Sequence, residues 1–375
     1  MNRLALLAGA LIAVGCGEAV APPPTSPHGP RLDVVASGGG GIALDQTNSK
    51  LGETTTIWQS FVTNPHHGDA IVATFYWVGG TNIITRVYDH LGDVESTPVG
   101  NTYTLADYVT DGVNSMATYV ATNVQNFPEG AVPNGDQNLV VHADLASPIQ
   151  DGGITIAAFS GVSGVTTQAL GVHQSATGNG SSYPTVADVG SLPIDAGALA
   201  YAVTMSPQGR AAEVPGGFTS LGTMTSPNMW VEPDFAVQAG AGLIDPQWNW
   251  YFDAPGTWVA SALVLRSAPA QLAFTVQPST TLPSMTIQPA VQVVAQDALG
   301  NPATTFTGPV TIAIQNNAGL IIPGTLSGTL TVTMVNGVAS FADLSIDQVG
   351  NGYTLKVTTP GLTGAESKPF NIGAL

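Results

Sequence analysis

Two acidic residues, Glu232 and Asp234, have the spacing that acid–base chemistry on a β-strand needs. Alternate residues of a strand point to one face, and cleavage of a glycosidic bond needs two carboxyl groups that face the same bond. Pro233 between them indicates an edge strand, because proline cannot donate to a strand ladder. Val237 stands where an E-x-D-x-x-E run would place a third acid. Spacing alone assigns a catalytic role to neither carboxyl group, so no catalytic residue is predicted.

His66, His67 and Asp69 bring three metal-ligand types close together in the sequence. Neighbouring residues of a strand point to opposite faces, and no H-E-x-x-H pattern is present. A loop would let both histidines turn one way and hold a metal, but solvated loop histidines are the favoured interpretation. The segment Ser160-Gly-Val-Ser-Gly164 lacks the spacing of a nucleophile elbow. We therefore expect no metal site and no enzyme activity.

Aromatic residues alternate near residue 250, where Trp248 and Trp250 share one face of a predicted strand. An exposed row of this kind could stack on sugar rings, which makes Trp248, Trp250 and Tyr251 the candidate ligand-binding residues. Large aromatics at alternate positions more often line a sandwich interior. In that case Tyr251, on the opposite face, is the exposed one.

The first residues read as an export signal. Asn2 and Arg3 precede an apolar run over residues 4–14, which is too short to span a bilayer. The segment that ends in Gly15-Cys16 resembles the bacterial lipobox, although Ala13 replaces its usual Leu. The resemblance implies a signal peptide over 1–15, lipidation of Cys16, and a membrane anchor at the outer membrane or cell surface. Ordinary signal-peptidase cleavage, which would release a soluble secreted protein, is the alternative.

Charge and cysteine content limit the partners. The 375 residues include 8 Lys+Arg against 25 Asp+Glu, a formal net charge of −17. No basic stripe exists to replace the counterions of a phosphate backbone, so nucleic-acid binding is excluded. Acidic β-surfaces can hold Ca²⁺, but no loop contains closely spaced calcium-ligand residues, and no cofactor is predicted. The single cysteine rules out intrachain disulfides.

Short apolar runs bounded by turn residues predict an all-β chain with two domains after a Pro/Gly-rich linker over 16–43. The run over 69–78 is apolar on both faces and predicts a central strand. Further matching segments over 44–267 are Gly100-Asn-Thr-Tyr103, Phe159-Ser-Gly-Val162, Ala176-Thr-Gly178, Ser181-Ser182, Gly216-Gly-Phe-Thr219 and 258–265. In their order this region resembles a jelly-roll (concanavalin-like) domain of unassigned function from bacterial secreted proteins. The resemblance implies a two-sheet jelly-roll sandwich.

The region 268–375 has short strands at even intervals, with a hairpin signal at Asn336-Gly337. The segments that carry its resemblance are 272–278, 291–301, 324–328, 336–345, 350–355 and 361–364. They resemble the bacterial Ig-like repeats of adhesin-type surface proteins, which implies an immunoglobulin-like sandwich with a spacer or adhesive role. Tyr353 then takes the place of a tyrosine corner, with its hydroxyl bonded to nearby backbone.

These features predict a cell-surface lipoprotein that acts as a binding, adhesion or structural module, with a glycan or a surface protein as its partner. A secreted polysaccharide-active hydrolase is the alternative, and a component of a larger envelope assembly is a third. A cleft with two carboxylates at a suitable separation would favour the hydrolase, whereas a flat or aromatic patch would favour the binding module.

Overall fold

The computed structural model describes residues 41–92, 97–133, 135–181 and 183–373. The predicted signal peptide, Cys16 and the predicted linker up to residue 40 lie outside the described residues. Within those residues no helix is long and apolar enough to cross a bilayer. The chain is all β, as expected, with a four-residue helix α1 (Thr166–Ala169) and a 3-10 turn (Gly135–Gln137).

The first part of the chain forms a two-sheet sandwich. Its strands are β1 (Ala43–Leu51), β2 (Thr56–Ser60), β3 (Ala70–Val78), β4 (Ile84–Leu91), β5 (Thr97–Pro98), β6 (Thr104–Thr110), β7 (Asn114–Ala121), β8 (Leu139–Leu145) and β9 (Gly152–Ser160). The first inner sheet has the order β1-β9-β3-β7-β6, and the first outer sheet has the order β2-β8-β4-β5. Ile57 and Val141 of the outer sheet pack on Phe75 and Trp77 of the inner one.

A second sandwich follows. Its strands are β10 (Leu170–Gly180), β11 (Thr185–Asp188), β12 (Leu192–Ile194), β13 (Leu199–Ser206), β14 (Gly209–Glu213), β15 (Thr219–Ser220), β16 (Met224–Ser226), β17 (Met229–Val237), β18 (Gly242–Ile244), β19 (Gln247–Phe252) and β20 (Gly256–Leu265). The second inner sheet has the order β10-β20-β13-β17-β15, with β16 also on β17. The second outer sheet has the order β11-β19-β14, and β12 pairs with β18.

The two inner sheets pack face to face, so the region has four layers where the sequence led us to expect two. Val72 and Phe159 of the first inner sheet share a buried cluster with Tyr201 and Val231 of the second. The physical reason lies in strands such as β3 and β13, which are apolar on both faces and must be covered on both. The central strand expected over 69–78 is confirmed as β3.

Both sandwiches have the same strand order. The inner order β1-β9-β3-β7-β6 corresponds to β10-β20-β13-β17-β15, and the outer order β2-β8-β4 corresponds to β11-β19-β14. The first 20 strands are therefore one architecture used twice. Each outer sheet has one face on its inner sheet and the other face toward solvent.

The last part of the chain has its own core. Its strands are β21 (Gln271–Val276), β22 (Val291–Gln296), β23 (Pro309–Asn316), β24 (Leu326–Ser327), β25 (Thr331–Thr333), β26 (Val338–Phe341), β27 (Ser345–Ile346), β28 (Gly350–Thr359), β29 (Leu362–Glu366) and β30 (Phe370–Ile372). Eight of them pair in one sheet, with the path β25-β23-β28-β29-β21-β22-β26 and β30 on β28. Their buried residues, from Leu272 to Ile372, form one cluster.

Two local predictions in this part are confirmed. Asn336 and Gly337 both have positive φ, 50° and 73°, and Val335 and Val338 exchange backbone hydrogen bonds around them. The Tyr353 hydroxyl donates to the carbonyl of Gln348 at 3.0 Å, which is the corner contact expected for it.

Candidate functional sites

The acidic pair Glu232 and Asp234 is sealed between layers. Both side chains lie on the face of β17 that looks toward the second outer sheet, and they are 1% and 0% exposed. The Trp248 indole N–H donates to Asp234 Oδ2 at 2.7 Å, and the hydroxyls of Ser220 and Thr223 donate to Glu232. A substrate cannot reach either carboxyl group in this conformation.

Pro233 explains why these acids fit inside a sheet. β17 pairs with β13 along its whole length, but its other neighbour is interrupted opposite Glu232 and Pro233. There the Leu221 N–H donates to the Pro233 carbonyl, and no donor is needed from the proline. The gap leaves room for the two hydroxyls that bind Glu232.

The carboxyl group of Asp234 is electrostatically unfavourable as an anion. Burial, together with the charge of Glu232, raises the pKa of Asp234 to about 8. Burial also raises the pKa of Glu232, although the hydrogen bonds from Ser220 and Thr223 oppose that effect. One oxygen of Asp234, Oδ1, has no hydrogen-bond partner and is the natural position for a proton.

The structure corrects the assignment of Trp248 and Trp250 as ligand-binding residues. Both indoles are 0% exposed, and they pack on alanines of the second inner sheet, including Ala202 and Ala260. The Trp250 indole donates to Thr204 Oγ1 at 3.1 Å. Alternate aromatics of β19 therefore fill the space between two layers, as in the core interpretation, because small residues of the facing sheet leave room for large rings.

Tyr251 points the other way and belongs to a solvent-exposed cluster, which we call the tyrosine patch: Tyr183, Glu213, Asn249 and Tyr251. The rings of Tyr183 and Tyr251 stack with centroids 3.9 Å apart and planes 9° from parallel. They are 48% and 37% exposed. Among the described Phe, Tyr and Trp residues, they are the only two that are exposed.

A carboxylate fixes both tyrosines. Glu213 Oε1 accepts from the hydroxyls of Tyr183 and Tyr251 at 3.0 and 2.9 Å, and Oε2 accepts from the amide of Asn249 at 3.0 Å. These hydrogen bonds lower the pKa of Glu213, so the patch presents an anion beside two rings at neutral pH. The sequence predicts only Tyr251, since Glu213 reaches it through the pairing of β14 with β19, and Tyr183 lies just before β11, which also pairs with β19.

A second cluster joins Asp45, His66 and Asp69. His66 Nδ1 lies 3.0 Å from Asp45 Oδ2, and the backbone N–H of His66 donates to Asp45 and Asp69. One ligand atom from each residue can be chosen so that all three lie within 4.8 Å of one another. Asp45 takes part because the register of β1 against β9 shifts between Leu44 and Gln46, which leaves Asp45 as the extra residue of a bulge.

The electrostatics of this cluster are unusual. Asp69 is only 3% exposed, and burial together with Asp45 raises the pKa of Asp69 to about 8. Partial burial of His66 is outweighed by the charges of Asp45, Asp69 and Glu129, so the pKa of His66 is raised. His67 takes no part: its Nε2 donates to the Phe127 carbonyl at 2.7 Å.

The first outer sheet also has a row of aromatic residues, but contacts with other side chains cover part of their rings. Trp58, His142 and Tyr88 are register partners on β2, β8 and β4. The ammonium of Lys50 lies 4.0 Å from the Trp58 ring centre, and the guanidinium of Arg86 lies 3.8 Å from that of Tyr88. The His142 and Tyr88 rings stack at 4.9 Å. These contacts leave less free ring surface than the tyrosine patch offers.

Comparison with known proteins gives little further information. No family model matches the chain, and no curated protein matches it. A solved structure that it resembles is the major capsid protein P2 of bacteriophage PM2, with 11% sequence identity and a TM-score of 0.20. The match covers 59% of this chain and 98% of the capsid chain. A likeness of this size carries no argument about function.

Proposed function

We propose that this chain is an exported, lipid-anchored surface protein that binds an uncharged glycan at the tyrosine patch of its second outer sheet. The observation that carries the proposal is the stacked pair Tyr183–Tyr251, held by Glu213 on an exposed sheet face. The anchor at Cys16 rests on the leader sequence alone. In this view the last domain acts as a spacer or a second contact.

The two rings offer the apolar part of a sugar site. A pyranose has a flat face of C–H groups, and aromatic rings supply a rigid apolar surface at little conformational cost. In a stacked pair each ring already has one face covered, so the outer face of a ring remains for the ligand. The shared carboxylate holds both rings in place, which reduces the entropy lost on binding.

The polar part of the site comes from Glu213 and Asn249. A carboxylate has about four lone-pair positions, and the protein uses three as acceptor contacts. Sugar hydroxyls can donate to what remains, and charge-assisted hydrogen bonds are the stronger kind. The fixed anion and the overall charge of −17 disfavour anionic polymers, so a neutral glycan fits best.

The proposal is tested by binding of the purified chain to a panel of neutral and acidic polysaccharides. We expect saturable binding to neutral glycans, lost in Tyr183→Ala and weakened in Tyr251→Phe. The phenylalanine variant keeps the ring and removes only its bond to Glu213. Val172→Ala, an exposed change on β10 of another sheet, is the matched control and should bind as wild type.

The variants must keep the thermal transition of wild type, which is expected because the patch is outside every buried cluster. Binding that survives Tyr183→Ala would place the glycan elsewhere, and absence of binding to the whole panel would overturn the proposal. Shortening of a bound polysaccharide during incubation would instead support the hydrolase alternative.

A further inference from the structure

We propose that Asp45, His66 and Asp69 form a binding site for a divalent metal ion of the zinc class. The three side chains come from two separate segments, the bulge of β1 and the connection between β2 and β3. The site lies in the first sandwich and uses no residue of the tyrosine patch, so it stands independently of the proposed function.

The separations between the ligand atoms lie on either side of the value that a bound ion requires. Ligand atoms about 2.1 Å from a tetrahedral metal are about 3.4 Å apart. His66 Nδ1 and Asp45 Oδ2 are already 3.0 Å apart, and the widest separation in the set is below 4.8 Å. Three protein ligands would leave a fourth position for water, as in an open zinc site.

The negative charges around the cluster also favour a bound cation. Asp69 is only 3% exposed. A buried carboxylate is stable only with a compensating charge or a proton. Glu129 adds a third carboxylate whose charge acts on His66. In the described part of the chain, every Lys or Arg ion pair is made with a different acid, so none of these carboxylates has such a partner.

The ligand types select the metal. Imidazole suits Zn²⁺ and its neighbours in the transition series, whereas Ca²⁺ and Mg²⁺ prefer sites made only of oxygen atoms. One nitrogen and two carboxylate oxygens therefore favour Zn²⁺ over Ca²⁺. The backbone N–H of His66 donates to both carboxylates and orients them before the ion arrives.

Equilibrium dialysis of the chelator-treated full chain against Zn²⁺ tests the site. All samples carry Cys16→Ser, because a thiolate is itself a zinc ligand. We expect about one equivalent of zinc per chain, with affinity reduced about 10-fold or more in His66→Ala and in Asp69→Asn. Co²⁺ in place of Zn²⁺ should give visible absorption that disappears in His66→Ala.

His173→Ala is the matched control, since His173 is also exposed and lies 3.3 Å from the buried Asp107, but among the described residues it belongs to no group of three metal-ligand side chains. It should bind zinc as the parent chain does. His66 is at the surface, so its removal tests the site even where Asp69→Asn impairs folding. No saturable zinc binding, or binding unchanged in a folded His66→Ala variant, would overturn the proposal. The buried charge would then be neutralised by a proton that Asp45 and Asp69 share.

Discussion

The buried acid Asp234 makes the stability of the protein depend on pH in an unusual direction. Its pKa is about 8 in the folded chain, against about 3.9 in an unfolded one. Between these values the folded state holds a proton that the unfolded state has released. The contribution of Asp234 to stability is therefore most favourable below about pH 4, and it falls as the pH rises toward 8. Most paired aspartates behave in the opposite way.

Asp234→Asn removes this linkage with little change in shape. The amide oxygen can still accept from the Trp248 indole, and the amide nitrogen takes the place of the Oδ1 atom that lacks a partner. One proton contributes about 1.4 kcal/mol per pH unit. From pH 5 to pH 8 the variant should gain at most about 4 kcal/mol relative to wild type, because relaxation around a buried charge reduces the ideal value.

Urea unfolding of both proteins at pH 5, 6, 7 and 8 measures this difference, with tryptophan fluorescence as the signal because Trp248 contacts the site. Asp188→Asn, an exposed carboxylate on β11, controls for the loss of one charge. A gap between Asp234→Asn and wild type that stays constant with pH, or narrows as the pH rises, would refute the reasoning.

Three further predictions follow from single residues. Trp250→Ala should lower the free energy of unfolding by about 3–5 kcal/mol, because it empties a fully buried site; a denaturant midpoint equal to that of wild type would contradict this. Tyr353→Phe should cost about 1 kcal/mol through loss of the bond to the Gln348 carbonyl, measured by calorimetry, and an unchanged melting temperature would count against a stabilising corner. Cys16→Ser should abolish palmitate labelling in cells and shift the protein to the soluble fraction; continued membrane association would exclude the lipid anchor.

Sequence periodicity was most informative where burial decides the structure. The apolar run of β3, the alternation of Trp248 with Trp250, and the hairpin at Asn336 depend on neighbours in the chain. Each gave the correct element, or, for the tryptophans, an explicit choice between core and surface. That choice depended on the alanines of the facing sheet, which no local pattern shows.

The parts that the sequence could not show all depend on distant pairing. Asp45 reaches His66 only because a bulge in β1 turns it, and nothing in the residues around it marks a bulge. Tyr183 meets Tyr251 through strands far apart in the chain. The two sandwiches likewise share a strand order without a visible repeat of sequence. A sandwich requires apolar residues at its inward-facing positions, but it does not require the same apolar residue at equivalent positions.

The face-to-face packing of the inner sheets has a consequence for how the chain can be divided. Either sandwich alone would expose the apolar face that its inner sheet now buries, including Val72 in one and Tyr201 in the other. Such a half would associate with a second copy or aggregate. Joining the halves through the short segment at α1 turns that bimolecular encounter into an intramolecular one at high effective concentration. The first 20 strands thus resemble a dimer whose subunits share one polypeptide and cannot separate on dilution.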